Sequence, residues 1–172
     1  MKRLYKYLLI LLLIILQSSL FKFIDILGIK PDAVFIFVLS LSLLNGPWEA
    51  VYLSLFAGLV QDVIFNNALG VSTFSLLVVS YITGLLSKNV FKESTFVAFV
   101  FTFLGTLLYN LIIMFSMVLM KYQFNFLESL LDVGMIQSVY NSLIVAFVYR
   151  YIVAFNRYVS ENKKLFSRKS WF

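Results

Sequence analysis

The chain has no cysteine and no histidine among its 172 residues. This double absence excludes thiolate nucleophiles, imidazole bases, disulfides and Cys/His zinc sites, which together carry much of hydrolytic and metal chemistry. Charge is scarce too. Asp, Glu, Lys and Arg make up 13% of the sequence, roughly half their share in an average soluble domain, so little is left to cover a water-facing surface. What fills the chain instead is apolar, with 62% hydrophobic residues and a mean hydropathy of +0.95. That exceeds what a soluble core requires, and the excess must face lipid. The composition therefore describes an all-α polytopic membrane protein with no separate extramembrane domain. No catalytic activity, cofactor or metal is expected of it.

Uncharged runs occupy Tyr7–Phe21, Ala33–Trp48, Ala50–Gln61, Val63–Ser87, Ser94–Met120 and Val133–Tyr149. A helix needs about 20 mostly apolar residues to cross the hydrocarbon core. The last three runs suffice alone, and the first suffices from Leu4 to Ile24 with Lys22 snorkelling to the interface. Lys2, Arg3 and Lys6 ahead of that run imitate a signal peptide, but no Ala-x-Ala site follows, so the segment is read as a retained first helix. The middle two runs are parted by Asn45-Gly46-Pro47-Trp48-Glu49. Gly46 suits a helix end and Pro47 a first helical turn, which puts helix two at Pro31–Asn45 and helix three at Pro47–Phe65. A re-entrant hairpin over Ala33–Gln61 is the rival reading, and both return the chain to the same side.

Orientation follows from basic residues in short loops. With the amino terminus inside, Lys2, Arg3, Lys6, Lys88, Lys92, Arg150, Arg157, Lys163, Lys164, Arg168 and Lys169 are cytoplasmic, and only Lys22, Lys30 and Lys121 are outside. Six helices with both ends inside result: a transmembrane domain over 1–155 and a basic cytoplasmic tail over 156–172. The tail mixes its bases with Phe166, Trp171 and Phe172, which suits an anionic lipid surface. Nucleic acid is not expected as a partner.

Several residues are candidates for function. Asp32, in Lys30-Pro31-Asp32, stands where the first outer loop re-enters the membrane. There Pro31 suits a first turn and the carboxylate complements the helix dipole; a partner contact is the other reading. Asp62, after Gly58-Leu59-Val60-Gln61, is an intramembrane carboxylate, costly unless paired. Lys22, Lys30, Asn66 and Asn67 are the candidates to pair with it. Removing that charge, as in Asp62→Leu, is expected to be tolerated for insertion yet to impair assembly or cell shape. Gly134, Ser138, Ser142 and Ala146 form a narrow stripe on helix six, with Gln137 and Asn141 beside it. Ser54 with Gly58, and Ser80 with Gly84, repeat the spacing. Such stripes let helices approach closely, within the chain or against a partner. Asn110 fits an interhelical hydrogen bond.

The ordered set Lys30-Pro31-Asp32, Asn45-Gly46-Pro47-x-Glu49, Gly58-Leu59-Val60-Gln61-Asp62 and Leu69-Gly70-Val71 resembles the MreD family of bacterial rod shape-determining proteins. The resemblance covers Lys30 to about Leu86, with length, helix count and basic tail agreeing beyond it, and departs at Ala50, where a glycine is expected. It implies a noncatalytic, multi-pass component of the bacterial cytoplasmic membrane that maintains cell shape within the elongation machinery, or elongasome, supporting lateral peptidoglycan synthesis. It implies MreC as direct partner, with RodA, its penicillin-binding transpeptidase and MreB in the wider complex. The implied fold is similar to the substrate-binding subunits of energy-coupling-factor transporters, although fold alone does not transfer function. Pro31, Asp32, Gly46, Pro47, Gly58, Gln61, Asp62 and Gly70 from these motifs, and Gly134, Ser138 and Ser142 from their stripe, are the residues expected to bind a partner or hold the structure.

Two other functions are weighed. A small-molecule-binding subunit of an energy-coupling-factor transporter needs a pocket near the outer face, for which Asp62, Asn66, Asn67 and Tyr109 are candidates. An intramembrane aspartyl protease needs two facing aspartates, one in Gly-x-Gly-Asp. Here Asp62 follows Gly58-Leu59-Val60-Gln61, and Asp132 lies at a helix end.

Overall fold

The computed structural model describes residues 2–19, 29–65, 70–121 and 129–169, with side chains described from Leu4 to Val159 within these segments. The far end of helix one, Lys22, Asn66, Asn67 and the tail side chains from Ser160 onward lie outside the described residues. Six long helices follow in order: α1 (Lys2–Ser19), α2 (Ala33–Asn45), α3 (Pro47–Ile64), α4 (Val71–Leu86), α5 (Thr95–Leu119) and α6 (Ile136–Lys169). A 3-10 turn, Ser87–Asn89, extends α4, and a π-helical turn, Leu130–Met135, leads into α6. The described residues form no sheet.

The α2–α3 junction follows from two residues. Gly46 has φ 92° and ψ −174°, a region essentially closed to residues with a Cβ, and its N–H closes α2 on Ser42 O at 2.9 Å. Pro47 then starts α3 at its first turn, where the missing N–H costs nothing. Asp32 caps the other end of α2 by accepting from Phe35 N at 2.9 Å, so this helix begins at Ala33, two residues later than expected.

α2 is the centre of the bundle. Its 13 residues span only about 20 Å, and the run from Val34 to Leu43 is buried throughout. A helix apolar on all sides belongs inside other helices, and α1, α3, α4, α5 and α6 all pack against it. Its length alone does not bridge a bilayer core. Among the described residues, the segments long and apolar enough to cross a membrane are Val71–Asn89, Thr95–Leu119 and Leu130–Val159.

Successive helices run in opposite directions between two ends. At one end Lys6 of α1 reaches Glu49 of α3 and Asn156 of α6. At the other, Asp32 before α2 meets Gln61 of α3 and Asn141 of α6. α6 continues unbroken past Asn156 to Lys169, so the boundary expected at 155/156 is one of composition and not of secondary structure. No proline or glycine interrupts Ile136–Lys169, and Val145, Tyr149, Ile152 and Asn156 are buried at the three- and four-residue spacing of one helix face.

Glycines mark the closest helix crossings. A Cβ on Gly84 would stand 2.7 Å from both Cα and N of Pro47, which is backbone and cannot rotate away. One on Gly58 would overlap the backbone of Thr73. Ala50, the departure from the family pattern, is fully buried beside this junction, so α3 and α4 approach closely without a glycine there. Gly84→Ala is therefore expected to destabilise the protein by about 1–3 kcal/mol through overpacking. Gly105→Ala should cost less, because its Cβ would meet the side-chain tips of Leu39 and Val79 at 3.1 and 3.3 Å. Thermal unfolding in mild detergent checks this, and equal losses would contradict it.

Candidate functional site

Asp62 is the most heavily bonded carboxylate described. Its Oδ2 accepts from Gly70 N at 2.9 Å, Thr73 N at 3.2 Å and Thr73 Oγ1 at 2.7 Å, and its Oδ1 accepts from Ser72 N at 3.2 Å. The cause lies in α4. Gly70, with φ 96°, stands at its N-cap position and has no side chain to cap with, leaving the first N–H groups without acceptors. A carboxylate from the preceding helix takes that role and also meets the positive end of the α4 dipole. Of the four candidates to pair with Asp62, Lys22, Asn66 and Asn67 lie outside the described residues, and Lys30 is in neither ion pair of the described residues, which are Lys6–Glu49 and Arg157–Glu93. Backbone donors from a neighbouring helix compensate the charge instead.

Asp32 gathers four helices. Besides capping α2, it accepts from Gln61 Nε2 of α3 at 3.4 Å, while its own N–H donates to Asn141 Oδ1 of α6 at 3.0 Å. Asn141 Nδ2 continues to Thr106 Oγ1 of α5 at 3.3 Å. Gln137 Nε2 donates to Lys30 O at 3.2 Å, and Asn110 Nδ2 donates to Gln137 Oε1 at 2.8 Å. Lys30-Pro31-Asp32 is thus fixed to α6 through its backbone, and Pro31 is itself buried. Asn110 makes the interhelical bond that its position suggested.

The small-residue stripe of helix six lies inside the bundle. Ser138 and Ser142 are fully buried and return their hydroxyls to Gly134 O and Val139 O. Gly134 is buried as well, with Asn110 of α5 across from it. Ser54 and Ser80 are likewise fully buried. Gly46 and Pro47 meet Gly84, and Gly58 meets Thr73. The stripes serve packing within the chain.

A second polar cluster, at the Lys6 end, was not legible as a site. Lys6, only 5% exposed, pairs with Glu49 and donates to Asn156 Oδ1 at 3.0 Å. Asn45 and Asn156 exchange side-chain amide bonds at 3.1 and 3.0 Å. Nearby in sequence, Tyr149 donates its hydroxyl to Lys92 O, and Arg157 pairs with Glu93. A faint signal existed: Lys6 follows the first turn of an apolar helix, and Asn156 recurs on the buried face of α6.

Chemically, these arrangements cap, bridge and neutralise. Both oxygens of Asp62 are engaged by α4, and Asp132 is exposed, so the two do not form the facing pair an aspartyl protease needs. No group of three or more Asp, Glu, His or Cys suited to a metal occurs among the described residues.

Compared with known families, the chain matches the one described as rod shape-determining protein MreD over residues 1–159. No curated protein and no solved structure matches it.

Proposed function

The chain belongs to the MreD family of rod shape-determining membrane proteins, and from that membership we propose that it is a noncatalytic scaffold of the bacterial elongation complex. The family is a structural determinant of cell shape and not a known enzyme family. The match over residues 1–159 is the observation that carries the reading.

In this reading the six alternating helices all cross the cytoplasmic membrane, with the Lys6 end inside and the Asp32 end outside. The residues 1–155 form the membrane domain and 156–172 a basic tail against the inner leaflet. Support comes from charge, since Lys6, Lys92 and Arg157 all act at the Lys6 end, the sense the positive-inside rule requires. A fold like the substrate-binding subunits of energy-coupling-factor transporters belongs to the same proposal.

MreC is the proposed direct partner, with RodA, the penicillin-binding transpeptidase and MreB further out, and support of lateral peptidoglycan synthesis is the outcome. The buried stripes leave large apolar side chains as the surface for a partner helix. Met135 at the end of the π-helical turn and Val139, Leu143, Phe147 and Tyr151 of α6 are exposed every four residues, forming one continuous ridge. Van der Waals packing is one of the forces that associate helices in lipid.

Affinity capture of the full chain in mild detergent tests this. The amino-terminal region of MreC with its single helix should be recovered, and the same region without the helix should not. Ser138→Leu and Ser142→Leu should reduce abundance while leaving capture per molecule unchanged. Recovery of an ATPase pair in place of wall-synthesis proteins would favour the transporter-subunit alternative, for which the outer cavity lined by Asp32, Gln61 and Tyr109 is the one favourable observation.

A further inference from the structure

At the Asp32 end, Gln17 of α1, Lys30 and Asp32 before α2, Gln61 of α3, Ser72 of α4 and Tyr109 of α5 line a cavity of about 430 Å³. That volume lies within the range of roughly 300–1,000 Å³ usual for small-molecule sites. Its polar groups are unbalanced. Gln61, 4% exposed, points Nε2 at Asp32, and its buried Oε1 has no hydrogen-bond partner among the described residues. Reversing the amide does not help, because two acceptor oxygens would then face each other. The buried Oε1 of Gln17 is unpartnered in the same way. Folded proteins leave few buried polar atoms unpaired, and those few call for a reason.

Charge is unbalanced as well. Asp32 is 8% exposed, and the side chains that hydrogen-bond its carboxylate, Gln61 and Gln17, are neutral amides. Lys30 at the rim is exposed and enters neither ion pair of the described residues. A buried carboxylate without a cation is costly. The cavity thus presents two vacant acceptors and one negative charge, with the Tyr109 ring, held 5.0 Å from that of Phe35, as an aromatic wall suited to a cation.

We propose that this cavity binds a primary ammonium group, which brings one positive charge and three N–H donors on a single atom. A neutral hydroxyl compound supplies donors without charge, and a quaternary ammonium supplies charge without donors. The ammonium comes either from a free small amine or from the ethanolamine headgroup of a phospholipid. The site is independent of the packing surface proposed for MreC.

The test uses the full chain in nanodiscs. Ethanolamine is titrated by calorimetry into protein in phosphatidylcholine discs, and lipid retention is followed by native mass spectrometry in discs mixing phosphatidylethanolamine and phosphatidylcholine. Asp32→Asn keeps an oxygen for the Phe35 N–H and a residue favoured at N-caps, so the fold should survive. Its affinity for the ammonium should fall by about tenfold or more, the scale of one charge-assisted hydrogen bond. Gln61→Met, which keeps the side-chain length and removes the amide, should weaken binding also and serves if Asp32→Asn misfolds. Calorimetric binding of ethanolamine, lost in the variants, identifies a free amine. Selective retention of phosphatidylethanolamine without ethanolamine binding identifies the headgroup. The proposal is overturned if neither binds, if choline or ethylene glycol binds as well as ethanolamine, or if the variants bind like the parent.

Discussion

Asp62→Leu is expected to reduce the folded, monodisperse protein several-fold, with Asp62→Asn falling between leucine and the parent. The reason is the cap that Asp62 supplies across the α3–α4 turn. Leucine leaves the N–H groups of Gly70, Ser72 and Thr73 and the Thr73 hydroxyl without their acceptor. An unsatisfied buried donor costs about 1–3 kcal/mol, and water reaching this end of the bundle replaces some of the lost bonds. A net loss of about 3 kcal/mol is the expectation, a large fraction of a typical folding free energy. Asparagine retains one acceptor oxygen for the three donors on Oδ2 but turns an NH2 toward Ser72 N, so it conserves part of the cap. Size-exclusion profiles and thermal unfolding of the three proteins in one detergent decide the matter. A leucine variant as stable as the parent would show that the cap contributes little.

The sequence reading expects the same change to be tolerated for insertion yet to impair assembly, and the structure adds a cost in folding stability. The difference is instructive because the sequence located Asp62 correctly and misjudged its company. Lysines and asparagines were natural candidates for its pairing, whereas the donors are backbone amides, which no residue type announces. Backbone signals that residues do announce were legible. Gly46-Pro47 placed the α2–α3 junction to the residue, because a positive φ and a missing N–H each admit few residues. Small-residue stripes were legible as periodicities, but serine and glycine at four-residue spacing look alike whether they face a neighbour in the same chain or another protein. Their burial needed the structure. The continuation of α6 was hidden by its composition, since a charged segment after an apolar one reads as a tail while the absence of proline and glycine is easily passed over. Lys6 and Asn156 are 150 residues apart, and nothing local to either indicates the other.

That distant contact supports the last prediction. Lys6→Met is expected to destabilise the protein clearly, while Lys6→Met combined with Glu49→Met should recover most of the loss. Lys6 is 5% exposed and joins α1 to α3 through Glu49 and to α6 through Asn156. Its removal leaves the partly buried Glu49 carboxylate without its cation. Breaking a buried pair by removing one partner typically costs about 3–5 kcal/mol, whereas replacing both partners by apolar residues is often neutral. The Glu49 side chain is 32% exposed, so water screens part of the orphaned charge, and a coupling of about 1–3 kcal/mol is the discounted expectation. The double-mutant cycle, read by thermal unfolding in detergent, isolates that coupling from the loss of the lysine's alkyl packing. Asn45 and Asn156 keep their mutual bonds in all four proteins, so the cycle reports on the charge pair. Additive single losses would show that Lys6 acts through its bond to Asn156 or its apolar stem, and not through Glu49. A positive coupling would identify the charge pair as a fastening of α1 to the bundle. The basic residue counted toward membrane orientation would then also lock the first helix in place once it has inserted.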